Sequence, residues 1–176
     1  MLKRFGTHKR VLRNVNQHAS KKYSFLLEQW QNQILAISES DPVIERYNFN
    51  GELINSLKLS KLDFLQSRIK HSTNEQRKKS RKKEMVGITG FFPYSCLQGD
   101  KLYLLVYGLD ESRNKPTSHH ILVLEVTQKD LRPIKIFNLI KDKGKNPWYY
   151  SFSIVDKKLI AFDAYTYEIH EYRLPF

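Results

Sequence analysis

Residues 34–49 (ILAISESDPVIERYNF) overlay residues 159–174 (LIAFDAYTYEIHEYRL) without a gap. Ala36 meets Ala161, Ile44 meets Ile169 and Tyr47 meets Tyr172. The apolar positions match around these identities: Ile34 with Leu159, Leu35 with Ile160, Ile37 with Phe162, and Phe49 with Leu174. Self-similarity of this kind marks a chain assembled from one repeated supersecondary unit. A middle copy has a longer connection. Gly99-Asp100-Lys101 leads into the apolar run from Leu102 to Tyr107, residues 108–119 form an insertion, and Ile121 to Val126 returns as the partner strand. Polar triplets precede each copy (Gln31-Asn32-Gln33, Gly99-Asp100-Lys101, Asp156-Lys157-Lys158), as tight turns between strands require.

Flanking strands complete the modules. The first strands fall at residues 23–27, 92–97 and 149–154, and outer strands at 53–59 and 131–139. Asn50-Gly51 is a turn signal before the first outer strand, because both residues tolerate positive φ. The expectation is four, four and three strands in sequential antiparallel order. Modules of about 40–45 residues with four strands are the spacing of propeller blades. The fold class expected is therefore all-β: a single domain over 1–176 made as a partial, about three-bladed propeller. Its blades would span approximately 17–60, 88–140 and 145–176, with residues 9–15 supplying an N-terminal strand and a basic loop inserted at 66–86.

The residues 41–53 (DPVIERYNFNGEL) and 141–148 (KDKGKNPW) resemble blades of the bacterial six-bladed propellers called TolB-like or NHL-like. In that family an aromatic strand end precedes an Asn-Gly or Asp-Gly turn, and a Gly- and Pro-bearing link leads to the next blade. The resemblance implies a protein that binds a small ligand or a protein partner, often one that is exported. Three modules are half of a six-bladed ring, so exposed blade edges would favour a homo-oligomer.

Composition bounds the rest. The chain is 40% hydrophobic with ten Tyr and ten Phe, which suits a folded, strand-rich protein. The net charge of +12 is uneven, since half of it lies in residues 66–84. Arg77, Lys78, Lys79, Arg81, Lys82 and Lys83 are the candidate contacts for an anion or nucleic acid through phosphate neutralisation. No aromatic residue interrupts that run to stack on single-stranded bases, and a solvated loop is the preferred reading. One cysteine, Cys96, excludes an internal disulfide framework or a cysteine zinc site. No secretory signal is read at Met1 and no apolar run has the length of a membrane helix, so the chain as written reads as cytoplasmic, or periplasmic or envelope-associated if it is part of a longer family member.

No catalytic, cofactor or metal residues are assigned. Adjacent His119 and His120 on a regular strand would face opposite sides and could not share a metal. Asp110, Glu111, Asp163 and Glu168 are acidic, but nothing in the sequence sets a glycosidase spacing. The nucleotide-binding Gly-rich motifs and Gly-x-Ser-x-Gly are absent. Trp148-Tyr149-Tyr150, with Trp30, would either fill the space between blades or line a ligand site; the core reading is preferred. The expectation is a non-enzymatic propeller-type binding scaffold. The alternatives are a fragment of a propeller enzyme acting on carbohydrate or another extracellular substrate, and a basic nucleic-acid-binding protein.

Overall fold

The computed structural model describes residues 23–28, 32–82, 90–110, 115–140 and 147–175. The chain divides into two compact units, Met1–Phe91 and Phe92–Phe176. The expected N-terminal strand at 9–15 lies outside the described residues.

The first unit holds a four-stranded antiparallel sheet in sequential order: β1 (Tyr23–Glu28), β2 (Gln33–Ser38), β3 (Val43–Asn48) and β4 (Leu53–Lys58). β2 carries the apolar run Leu35, Ala36 and Ile37, all buried. On β3, Ile44 and Arg46 are fully buried while Val43 and Glu45 are half-buried, the alternation of a pleated strand. The β3–β4 turn is tied by Asn48, whose side chain accepts the Glu52 N–H (2.9 Å) and donates to the Glu52 carboxylate (2.6 Å). Gly51 takes a φ of 85° there.

After β4 the expected basic loop is instead a helix, α1 (Asp63–Arg81). Like-charge repulsion was the reason to expect a loop. It is outweighed because this segment contains no Gly or Pro and is rich in Gln, Arg and Lys, which favour helix. Asp63 in the first turn and Lys78, Lys79 and Arg81 in the last turn complement the helix dipole at both ends. Glu75 and Lys78 add an exposed ion pair at 3.0 Å. Leu65 and Ser72 are the buried residues of the helix, both in its first ten positions.

The second unit contains two antiparallel sheets. The first is β5 (Tyr94–Gln98), β6 (Lys101–Asp110), β7 (Lys115–Val126) and β8 (Leu131–Asn138); the second is β9 (Tyr149–Val155), β10 (Lys158–Asp163) and β11 (Ile169–Arg173). One apolar core joins them, with Tyr103, Leu105, Ile121 and Val123 from the first sheet and Tyr149, Phe152, Ile154, Leu159 and Ala161 from the second. Asp156 and Lys157 both take positive φ (48° and 62°), the conformation whose twist suits a two-residue hairpin loop between β9 and β10. Much of the insertion expected at 108–119 is strand, because β6 continues to Asp110 and β7 starts at Lys115. The extra residues lengthen a hairpin rather than form an open loop.

The strand count and order follow the sequence expectation, and so does the repeat register. Ile34 pairs with Tyr47 and Ile37 with Ile44; Leu159 pairs with Tyr172 and Phe162 with Ile169. Each pair in one hairpin thus corresponds to the aligned pair in the other. The outer strands share a second feature. β4 and β8 each carry one unpaired extra residue, Ile54 between the partners of Arg46 and Tyr47, and Ile134 between the partners of Val123 and Leu124. Such bulges increase local twist.

His119 gives the second unit a pH dependence. Burial, and then the neighbouring His120, lower its pKa from 6.5 to about 4. Its bond to the Pro147 backbone, which offers only a carbonyl, uses Nε2–H; Nδ1 has no partner among the described residues. In the unfolded chain the ring binds a proton near pH 6.5, whereas the folded protein resists protonation until about pH 4. The contribution is therefore complete above pH 6.5 and is lost as pH falls through this window, by about 3 kcal/mol. Urea denaturation of the wild type at a series of pH values should show this loss, and His119→Gln should flatten it.

Candidate functional site

An aromatic cleft opens on the second unit. It has a volume of about 460 Å³ and is lined by Tyr107, Trp148, Tyr150, Phe162, Ala164, Tyr165 and Tyr167. Three breaks in regular strand geometry turn these side chains together. The β6–β7 register shifts between Val106 and Gly108, where Tyr107 lies. Gly108 is required at that point because a Cβ would come within 2.8 Å of the Thr117 hydroxyl. In β9, Asp163 pairs with Tyr149 and Phe162 with Ser151, so Tyr150 is the extra residue of a bulge. A bulge re-aims a side chain. The result is that Tyr149 and Phe152, three positions apart, are both buried while Tyr150 is 58% exposed.

The third break is the turn between β10 and β11. Asp163 is buried and its Oδ1 accepts the backbone N–H groups of Tyr165 (2.9 Å) and Trp148 (3.2 Å). The Ala164 N–H donates to the Trp148 carbonyl (2.8 Å), and the Tyr167 N–H donates to the Asp163 carbonyl (2.9 Å). One carboxylate therefore fixes two walls of the cleft relative to each other. Tyr165 and Tyr167 are 70% and 78% exposed. Tyr167 has a φ of 60°, a left-handed conformation that bulky residues rarely adopt and that costs about 1–2 kcal/mol. A large ring held in that conformation and left in solvent does not serve core packing. Strain of this kind is commonly found at functional positions.

The rings touch one another at inclined angles. Trp148 lies 5.3 Å from Tyr107 with planes at 33°, and 6.1 Å from Tyr165 with planes at 46°. Phe162 and Tyr167 stand 6.4 Å apart at 57°. Among the described residues, no Lys, Arg, Asp or Glu side chain lines the cleft.

The aromatic triplet is thus divided between the two roles weighed from the sequence. Tyr149 belongs to the core, and Trp148 and Tyr150 face the cleft; Trp30 lies outside the described residues. The Tyr149 hydroxyl is within 2.7 Å of His170 Nδ1 and 2.6 Å of the Tyr172 hydroxyl, which donates to the Leu139 carbonyl at 3.1 Å. His170 Nε2 reaches the Glu168 carboxylate at 3.2 Å. Carboxylate, imidazole and hydroxyl stand in the order of a nucleophile-activating relay. Burial, reinforced by the Tyr172 hydrogen bond, pushes the Tyr149 pKa well above its ordinary value. A buried phenol held in its protonated form is a structural bond, not an exposed nucleophile.

The other sequence candidates are dispersed. Arg77, Lys78, Lys79, Arg81 and Lys82 are all exposed at the C-terminal end of α1, and Lys83 lies outside the described residues. Glu111 also lies outside them. Asp163 and Glu168 are engaged in the turn and with His170. His119 and His120 do not face opposite sides as a regular strand would place them: their ring centroids are 4.4 Å apart, because the β6–β7 register shift interrupts the alternation. Among the described residues no three His, Cys, Asp or Glu side chains come together to hold a metal ion, and no helix is long and apolar enough to cross a membrane. Burial holds the Cys96 thiol pKa above its usual range, which disfavours the reactive thiolate.

The cleft was legible only in fragments. Its members come from three separate stretches, but Tyr165-Thr166-Tyr167 offered a local signal: aromatic residues at turn positions where Gly, Asn or Asp are the usual choice. No protein-family model matches the chain, and no curated protein matches it. Tyr149→Phe should cost about 1–3 kcal/mol, since it strips a partner from His170 and Tyr172. Chemical denaturation measures that loss, and the cleft aromatics should keep their environment in near-ultraviolet circular dichroism.

Proposed function

We propose that this protein is a non-enzymatic binding scaffold of propeller-type blades whose ligand site is the aromatic cleft of residues 92–176. The observation that carries the reading is the exposure of Tyr150, Tyr165 and Tyr167 around one cleft, with Tyr167 kept in a strained backbone conformation. A volume of 460 Å³ lies within the span of small-molecule sites, about 300–1,000 Å³. The blade assignment is supported by the sequential antiparallel sheets, the equal hairpin registers and the face-to-face core between two consecutive sheets. Binding without reaction is supported by the chemistry at hand. The cleft presents ring faces and phenol hydroxyls, the carboxylate–imidazole–hydroxyl series of Glu168, His170 and Tyr149 is closed in the core, and the acidic side chains near the turn are committed to structural bonds.

A nuclear magnetic resonance screen of small fragments against the full chain tests this. Hits should perturb the cleft aromatics, and Tyr165→Ala and Tyr167→Ala should lose at least about tenfold in affinity, or 1.4 kcal/mol. Both rings are largely exposed, so the melting temperature of either variant should stay within a few degrees of the parent. Hits scattered over the surface, or unaffected by these substitutions, would sink the proposal.

A second reading keeps one specific observation. Arg77, Lys78, Lys79, Arg81 and Lys82 are exposed on the end of a helix rather than dispersed along a loop. A rigid cationic helix end could bind nucleic acid through phosphate contacts. Affinity for duplex DNA should then fall steeply with salt, with a log–log slope of about −4.5 for five neutralised phosphates. A variant with the five residues changed to Gln should bind no better than background.

A further inference from the structure

We propose that the aromatic cleft takes a small soluble ligand bearing a quaternary ammonium group, with the ammonium against the rings. This rests on the binding-scaffold reading above and names the ligand class of the same site. Six of the seven lining residues are aromatic, and aromatic faces carry negative potential that attracts a cation. Behind them the buried Asp163 carboxylate bonds the backbone of Trp148 and Tyr165, placing a full negative charge next to two of the walls. Among the described residues, no lysine or arginine lines the space to compete with a bound cation.

The same chemistry disfavours other occupants. A primary ammonium has three N–H donors that need acceptors, and among the described residues the lining offers no carboxylate or amide side chain to supply them. A quaternary ammonium has none, so it leaves no unsatisfied donor when desolvated. A sugar ring would stack on the indole, but its hydroxyls would find only phenol groups as side-chain partners. A lone anion would meet π faces backed by a carboxylate. A volume of about 460 Å³ is that of a small-molecule site, which suits a small soluble ligand.

The full chain carrying Trp30→Phe leaves Trp148 as its one indole, so emission reports on the cleft directly. Phosphocholine, choline and the neutral isostere of choline in which carbon replaces nitrogen are titrated in parallel. Phosphocholine and choline should each give a saturable change, and the isostere should bind at least about fivefold more weakly than choline. Tyr165→Ala should weaken both cations at least about fivefold without shifting the melting temperature. Equal binding of the isostere would reduce the site to a merely apolar cleft and overturn the proposal. So would the absence of any saturable change below about 10 mM, or unchanged affinity in Tyr165→Ala. Sedimentation with phosphatidylcholine vesicles that soluble phosphocholine does not compete away would transfer the ligand to a membrane, overturning the soluble source. If fragments still bind the cleft while both cations fail, the ligand class is wrong and the binding scaffold stands; if nothing binds, both fall.

Discussion

Burying a tyrosine ring in an apolar core obliges the fold to find a partner for its hydroxyl, and the C-terminal unit is organised around that obligation. Tyr149 lies in the core between the two sheets of this unit, and its hydroxyl is met by His170 and Tyr172 from β11. Tyr172 in turn reaches the carbonyl of Leu139, just past the end of β8, so the polar chain passes from one sheet to the other. A hydroxyl desolvated without such partners would cost several times the net value of the hydrogen bonds gained. With them, the sheets can meet in one orientation only. The hydrophobic contact supplies the driving force, and the hydroxyl chain supplies the specificity.

That fixed seat decides what happens on either side of it in sequence. The bulge at Tyr150 lets Tyr149 and Phe152, three positions apart, both enter the core while Tyr150 stays outside, and the Asp163 carboxylate holds the Trp148 backbone. An unbroken period-two strand does not bury positions three apart on one face. The cleft is a by-product of geometry that the core demands, and the strained Tyr167 closes its far side.

Strands and their order were legible because each hairpin repeats the same apolar spacing, and a spacing that buries one face also fixes the register. The match between residues 34–49 and 159–174 therefore carried over to the paired partners themselves. The helix at 63–81 escaped because its signal lies in propensity and end charges, while the dense cationic run pointed to solvent and repulsion. Register shifts escaped for a different reason. A single extra residue such as Ile54, Ile134 or Tyr150 leaves no mark in composition, yet it reverses the side to which every following side chain points. The face taken by His120 relative to His119, and the outward turn of Tyr150, both depend on such shifts.

The tie made by Asp163 has a thermodynamic consequence. Because one carboxylate fastens the backbone on two sides of the cleft, the walls are ordered before anything enters, and the loss of freedom is charged to folding rather than to association. Rings that are exposed but backbone-anchored behave as a rigid template. Changes to Asp163 would be felt first as a slackening of shape, altering the entropy of association while leaving every contacting side chain in place.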